Sequence, residues 1–263
     1  MRVLITNDDG VHAEGLLALK RALDPVAEVT IVAPDRPRSA CGHSITLHKP
    51  LRLSQTMLAD GSIASTSSGT PSDCVTLALL EVMRDRRPDL VVSGINDGPN
   101  LGWDLTYSGT VSAAMEGAIN GLQSFAISVA WRLERVIEEE EDTPRPRTDF
   151  TQAARFAVRL AERLRDHPLP PHTLLNVNVP PGAPTVAEVT RQGIRRYPGR
   201  VEGRVDPMGR PYYWLGGDLP EDEMEAGTDV HAVASDRISI TPIQLDLTDY
   251  PVLKQIAGWD LSL

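Results

Sequence analysis

The sequence predicts an α/β protein with a doubly wound, mainly parallel β-sheet that carries helices on both faces. Short apolar segments without an alternating pattern recur along the chain, which is typical of parallel strands buried on both sides. Between several of them, apolar side chains repeat every three or four residues, as in helices packed on a sheet. Strands that alternate with helices favour a three-layer α/β/α arrangement.

The predicted strands come in chain order as five apolar segments and one alternating segment. The apolar segments are Arg2–Thr6, Glu28–Ala33, Asp89–Ser93, Phe125–Ala130 and Leu174–Val179. In the alternating segment, over 238–247, isoleucine and leucine change phase at Pro242, which indicates an edge or a bulge.

The helical periodicity falls over four segments, which are 16–23, 75–82, 111–118 and Asp149–Arg165. The second helix has the clearest start. Thr70 is a capping hydroxyl, Pro71 suits the first helical position, and the Asp73 carboxylate follows three residues after the cap. We therefore expect this helix to begin just after Thr70.

The pattern changes after about residue 185. Gly, Pro, Arg and aromatic residues alternate through Gly193–Gly217, which favours extended hairpins over further strand–helix units. We therefore divide the chain into an α/β catalytic core over 1–185 and a hairpin-rich C-terminal extension over 186–263. The acidic, proline-containing run Glu138–Arg147 is predicted to be a solvated loop.

The composition is that of a soluble globular protein with an acidic balance. The formal net charge of −10 argues against a nucleic-acid polymer as partner, since such a polymer binds basic surfaces. No apolar run reaches the roughly 18 residues of a membrane span, and the N-terminus lacks a signal-peptide pattern, so we expect a cytoplasmic protein with no membrane partner. Cys41 and Cys74 are expected to be reduced thiols.

Polar residues follow the first strands, at the edge where open parallel sheets bind ligands. Asp8 and Asp9 end the first strand, and their carboxylates converge only if the chain bends there, as Gly10 allows. A divalent cation would relieve the repulsion between them. From these two residues alone, a helix cap is an equally good interpretation.

Ser39 and Asn96 occupy the corresponding turns after two other strands. Taken singly, each is more often an ordinary loop or turn residue. Together with the two aspartates they would form an all-oxygen site, which favours Mg²⁺, Mn²⁺ or Ca²⁺ over zinc.

A third polar element lies directly before the third predicted helix. Ser108, Gly109 and Thr110 suit an anion site at the helix N-terminus, and they equally suit simple N-capping. His43 is a candidate donor of a proton to a leaving group, although a loop histidine without such a role is the commoner case.

The sequence lacks the GxxxxGK[ST], HExxH and GxSxG motifs, and NDDGVHAEG rather than GxGxxG follows the first strand.

Several motifs resemble the SurE nucleotidases, also called survival protein E. They are MRVLITNDDG with Gly15, the APDRPRS turn that ends at Ser39, SGINDGPNLG, YSGTVSAAMEG, and GTDVHAVASDRISITPIQLDLT. The likeness extends from residue 1 to about residue 250. The stretch ACGHSIT after Ser39 departs from the Ser- and Gly-rich pattern expected there, which leaves the roles of Cys41 and His43 open.

The resemblance implies a Rossmann-like core and a 5′/3′-nucleotidase that removes phosphate from nucleoside monophosphates with one Mg²⁺ or Mn²⁺. It implies the metal ligands Asp8, Asp9, Ser39 and Asn96, and a homodimer or homotetramer assembled through C-terminal segments.

We accordingly predict catalytic roles for Asp8, Asp9 and Asn96, and phosphate binding by Asn96 and Ser108–Thr110. A broad phosphomonoesterase or exopolyphosphatase, and a metal-dependent nucleotide sensor without turnover, are the alternatives.

Overall fold

The computed structural model describes residues 1–130, 147–217 and 220–260. The first part contains β1 (Arg2–Thr6), α1 (Glu14–Leu23), β2 (Glu28–Pro34), β3 (Leu53–Met57), β4 (Ile63–Ser67), α2 (Pro71–Leu77), a π-helical turn (Ala78–Val82), β5 (Leu90–Asp97), a 3-10 helix (Gly102–Thr106), α3 (Gly109–Ile119) and β6 (Gln123–Val129). The second part contains α4 (Thr151–Asp166), β7 (Thr173–Val179), β8 (Ala187–Val189), β9 (Arg195–Arg196), β10 (Gly199–Val205), β11 (Pro211–Gly217), β12 (Glu221–Asp222), α5 (Asp229–Ala234), β13 (Ile238–Gln244) and α6 (Tyr250–Ile256).

Within these residues, nine strands form one sheet in the order β3-β4-β2-β1-β5-β6-β7-β13-β8. The six strands from β4 to β7 in this order run parallel, while β3 and β13 are antiparallel to β4 and β7. The chain moves outward from β1 to β2 and β4, then returns to place β5 on the other side of β1. The strand order therefore reverses between β1 and β5, where an open α/β sheet forms its ligand crevice.

Helices cover both faces of the sheet, which confirms the predicted α/β class. On one face, α1 and α4 pack on a core that includes Leu16, Leu19 and Phe125, all fully buried. On the other face, α2 and α3 pack through side chains such as Val75 and Ala113 against β1, β2 and β5. Each core strand is thus covered on both sides, which is why its sequence reads as a continuous apolar run.

The predicted start of α2 is confirmed by its hydrogen bonds. The Thr70 hydroxyl accepts from the Asp73 amide at 3.1 Å, and the Asp73 carboxylate accepts from the Thr70 amide at 2.8 Å. This capping box satisfies donors at the helix N-terminus. The anion-binding potential of this helix end is therefore already used by a side chain of the protein.

Several elements differ from the sequence expectation. The strands β3 and β4 and the short helices α5 and α6 were not anticipated. The strand predicted over 238–247 ends at Gln244, and Leu247 lies beyond it with its side chain exposed. Pro242 lies beyond the residues of β13 that pair with β8, which agrees with an edge position.

The range 186–263 contributes both to the sheet and to separate hairpins. β8 and β13 join the main sheet, whereas β10 and β11 form a separate antiparallel pair, as the Gly193–Gly217 pattern predicts. The division at residue 185 stays a prediction. Of the acidic run Glu138–Arg147, only Arg147 belongs to the described residues.

Cys41 and Cys74 are free thiols, as expected. In the described part of the chain, no helix has the length and apolarity needed to cross a membrane.

Candidate active site

The turn after β1 is closed by Asn7, which is buried. Its side-chain amide donates to the Gly10 carbonyl at 2.9 Å, and its side-chain oxygen accepts from the Gly10 amide at 3.2 Å. Gly10 has a φ of +97°, and a Cβ at this position would lie 3.2 Å from the Arg36 carbonyl carbon. The bend that the sequence predicts after Asp8 and Asp9 is therefore fixed by a side chain and a glycine.

Asp8 is buried against the N-terminus of α3. Its Oδ1 accepts a hydrogen bond from the Thr110 hydroxyl, and the backbone amides of Gly109 and Thr110 also stabilise its charged form. Burial raises the pKa of Asp8, and these hydrogen bonds oppose that rise. A Cβ on Gly109 would lie 2.8 Å from the Asp8 Cβ, so only glycine permits this close approach.

Asp9 lies at the opening of the site, less buried than Asp8. Its Oδ2 accepts from the Asp97 amide at 3.3 Å, which joins the turn after β1 to the end of β5. Burial, and then the negative charge of Asp8, raise the pKa of Asp9 to about 6. The two carboxylates therefore sit close enough to repel each other, as the sequence predicts for a bent turn.

Ser39 is brought to the same edge by its neighbour in the chain. The Arg38 amide donates to the Asp8 carbonyl at 2.7 Å, which fixes the turn after β2 beside the turn after β1. The Arg38 guanidinium pairs with Asp35 at 3.3 Å. The Ser39 side chain is exposed next to this anchor, within reach of solvent and ligands.

Asn96 lies near the end of β5, after an irregularity in its pairing with β6. Its side-chain amide donates to the Gly98 carbonyl at 2.7 Å. This hydrogen bond uses the amide nitrogen of the side chain, and the side-chain oxygen is the atom that could bind a cation.

The four predicted metal ligands thus share one edge of the sheet, on the neighbouring strands β2, β1 and β5. Their donors are two carboxylates, a hydroxyl and an amide oxygen, which suit a hard cation such as Mg²⁺ or Mn²⁺. Within the described residues, no three or more His, Cys, Asp or Glu side chains form a cluster that could hold a metal ion, either at this edge or elsewhere.

Ser108 is the N-cap of α3, and its hydroxyl accepts from the Val111 amide at 3.0 Å. The N-capping role, one of the two interpretations that the sequence allows for this segment, is therefore confirmed for Ser108. The amides of Gly109 and Thr110 face Asp8. Phosphate binding by these residues stays a prediction.

His43 lies away from the carboxylate pair and pairs with α3. Its Nε2 is 3.0 Å from the Glu116 carboxylate, which also accepts from Thr76 and Asn120. Glu116 is seven residues after Gly109, which is about 10 Å along the helix. The structure therefore favours a role for His43 in holding the loop after β2 on α3, over proton donation to a leaving group.

Two acidic residues that fix the segment between β5 and α3 carried no local sequence signal. Asp229 is fully buried and accepts from the amides of Gly102 and Gly193 at 2.9 and 2.7 Å. Asp104 pairs with the buried Arg195 at 3.2 Å. Both fix the segment between β5 and α3, and both have partners about 90 residues or more away in the chain.

Comparison with known proteins matches residues 3–199 to the family model described as "Survival protein SurE". The "5'-nucleotidase SurE" of Herpetosiphon aurantiacus is 49% identical over 98% of this chain and 97% of that protein. The protein of the same name from Desulforudis audaxviator is 49% identical over 100% of this chain and 98% of that protein.

A solved structure leads to the same family. The crystal structure of the SurE protein from Aquifex aeolicus superposes with a TM-score of 0.80 at 40% identity, over 97% of this chain and 98% of that one. The chain therefore belongs to the SurE family.

Proposed function

We propose that the chain is a divalent-metal-dependent 5′/3′-nucleotidase that hydrolyses nucleoside monophosphates to nucleoside and phosphate. The observation that carries the proposal is the adjacent pair Asp8 and Asp9, held between the N-terminus of α3 and the end of β5. The relatives that the chain matches over nearly their full length are named 5'-nucleotidases. The chain is a phosphoric monoester hydrolase of this family.

The donor set fits a bound divalent cation. Asp8, Asp9, Ser39 and Asn96 would hold it. The pKa of Asp9 is raised by burial and then by the charge of Asp8, and a bound cation would offset both effects. Bound Mg²⁺ or Mn²⁺ would supply positive charge to bind the substrate phosphate in this acidic protein and to stabilise the transferring phosphoryl group.

The protein residues would orient the phosphate and the attacking water. Asn96 and Ser108–Thr110 would bind phosphate oxygens, with the Gly109 and Thr110 amides shared between the phosphate and Asp8, whose charged form they already stabilise. Asp9 is the better candidate to take the proton of the attacking water, because it lies at the opening of the site and is less buried than Asp8. Attack in line with the ester oxygen breaks the P–O bond, and the nucleoside leaves as an alcohol once its oxygen is protonated.

The direct test measures phosphate release from a panel of nucleoside monophosphates and sugar phosphates. We expect release from the nucleotides with Mg²⁺ or Mn²⁺ and its loss with EDTA. Equal rates on all phosphomonoesters or on polyphosphate would favour a general phosphatase. Nucleotide binding without release under any metal would favour a sensor, and would contradict the proposal.

Replacing either carboxylate tests the assignment of the pair. Asp8→Asn and Asp9→Asn should each abolish turnover while the protein stays folded, because each keeps the shape of the side chain and removes its charge. Asp85→Asn is the matched control, since Asp85 is an exposed aspartate in the turn before β5. Full activity of either Asp8→Asn or Asp9→Asn would refute the metal assignment.

The oligomer is also a proposal. The hairpin of β10 and β11 exposes apolar side chains, and an isolated two-stranded hairpin is at best marginally stable. We infer that it packs on a second copy in a homodimer or homotetramer. The cytoplasm as compartment stays a prediction.

A further inference from the structure

Two exposed aromatic side chains lie in the segment that leads into α3, whose N-terminus contacts Asp8. They are Trp103, 48% exposed, and Tyr107, 66% exposed, and we call them the aromatic ledge. Tyr107 is two residues from Gly109, which contacts Asp8, so it lies within about 7 Å of that glycine along the chain. An exposed aromatic ring at this place offers a face on which a flat ligand can stack.

The backbone that carries the ledge is fixed on both sides of Tyr107. The Tyr107 amide donates to the Asp104 carbonyl at 3.0 Å, and the Tyr107 carbonyl accepts from the Gly42 amide at 2.9 Å. Within the described residues, the Tyr107 side chain itself has no hydrogen-bond partner. A rigid backbone thus presents a free aromatic ring.

Beneath the ledge lies a buried ionic cluster. Arg195, 5% exposed in its side chain, pairs with Asp222 at 2.6 Å and with Asp104 at 3.2 Å. The Tyr197 hydroxyl also donates to Asp104, at 3.0 Å. Buried charges add little net stability but are costly to break, so they hold this exposed turn in one conformation.

We propose that the aromatic ledge binds the nucleobase of the substrate, with the base stacked on the ring of Tyr107. This inference rests on the proposed function, because a phosphate bound at the carboxylate pair would place the base about the length of one ribose from that pair. Every base has an aromatic face, so stacking recognises bases without selecting among them. The Arg196 guanidinium lies 5.9 Å from the centre of the Trp103 ring, which makes Trp103 the outer border of the ledge.

The experiment compares AMP with ribose 5-phosphate, which carries the same phosphoester without the base. In Tyr107→Ala, kcat/KM for AMP should fall about five- to 150-fold, the range measured for loss of one base–aromatic stack. The fall should appear mainly in KM, and the value for ribose 5-phosphate should stay unchanged. Tyr107→Phe should restore the wild-type value for AMP.

Tyr250→Ala is the matched control, because Tyr250 at the start of α6 is 56% exposed and lies outside both the site and the hairpin. An equal fall on both substrates, or no fall on AMP, would overturn the proposal. So would a changed molecular mass of Tyr107→Ala with an unchanged substrate ratio, which would assign the ledge to a subunit contact.

The wild-type protein separates the two proposals. Turnover of AMP without any preference over ribose 5-phosphate refutes base binding and leaves the phosphatase intact. Turnover of neither substrate refutes the proposed function itself, and base binding falls with it.

Discussion

At the scale of single residues, the site depends on glycine as much as on carboxylates. Gly109 lets α3 approach Asp8 so closely that an added Cβ would lie 2.8 Å from the Asp8 Cβ and 3.0 Å from the Cys41 sulfur. Both neighbours belong to segments that are anchored elsewhere, so the methyl group would displace Asp8 itself. The position of the Asp8 carboxylate is thus set by a residue without a side chain.

We therefore expect Gly109→Ala to lower kcat/KM by up to about 100-fold, the cost of a displacement near 1 Å at reacting groups. Steady-state phosphate release measures this. Gly199→Ala is the control, because a Cβ there meets nothing within 4 Å. Unchanged activity of Gly109→Ala would show that Asp8 is less tightly positioned than the structure indicates.

The sequence could predict which residues meet at the site only where the ends of neighbouring parallel strands bring them together. Asp8, Asp9, Ser39 and Asn96 each follow a strand, so the sheet topology alone assigns them to one edge. The contact of Thr110 with Asp8 spans 102 residues, and that of Arg195 with Asp104 spans 91. No local pattern encodes such pairs, and the ledge above them could not be foreseen.

At the scale of elements, the loop between β2 and β3 is held on α3 by His43 and Glu116. The hydrogen bond from His43 is the main cause of the lowered pKa of Glu116. A carboxyl group with a lowered pKa in the folded state stabilises the fold above its unfolded pKa of 4.5, and that contribution is lost as the pH falls. The loop that carries Ser39 should therefore loosen in acid.

Glu116→Gln should lower Tm at pH 7 by about 1–4 °C, since a partly exposed pair contributes at most about 1 kcal/mol. The difference from the wild type should begin to shrink below pH 4.5, where the unfolded state takes up a proton, and should vanish below the lowered pKa of Glu116 in the folded state. Thermal melts at pH 7 and pH 4 measure it. Glu81→Gln, in an exposed pair with Arg84, should change nothing, and an equal effect at both pH values would contradict the ionic origin.

The elements that the sequence predicted share one property, which is a buried apolar face. The core strands and the helices α1, α2, α3 and α4 follow from apolar period and capping. By contrast, β3 (Leu53–Met57) is mostly exposed, and α6 (Tyr250–Ile256) has no buried residue. A segment that buries little leaves little apolar pattern, so these two elements were missed.

At the scale of the whole molecule, the reversal of strand order between β1 and β5 places the site, and the C-terminal hairpin extends away from the sheet. Val201 on β10 faces Leu215 on β11, and their side chains are 61% and 87% exposed. Exposed apolar area of this kind marks an interface between proteins.

We expect Val201→Glu to reduce the molecular mass in solution to that of a monomer, because a carboxylate would be buried in the subunit contact. Light scattering after size-exclusion chromatography measures the mass. Leu80→Glu is the control, since Leu80 is 63% exposed and follows α2. A monomeric wild type, or an unchanged mass of Val201→Glu, would refute an interface at the hairpin.

The position of β13 in the sheet has a consequence for how the chain folds during synthesis. β13 pairs with β7 and lies between it and β8, although 58 residues separate the end of β7 at Val179 from the start of β13 at Ile238. Until the ribosome has released residue 244, β7 is an open edge that can pair with another nascent chain. The segments that form the site are therefore synthesised early. The strand β13, which protects the edge of β7 from aggregation, is synthesised much later.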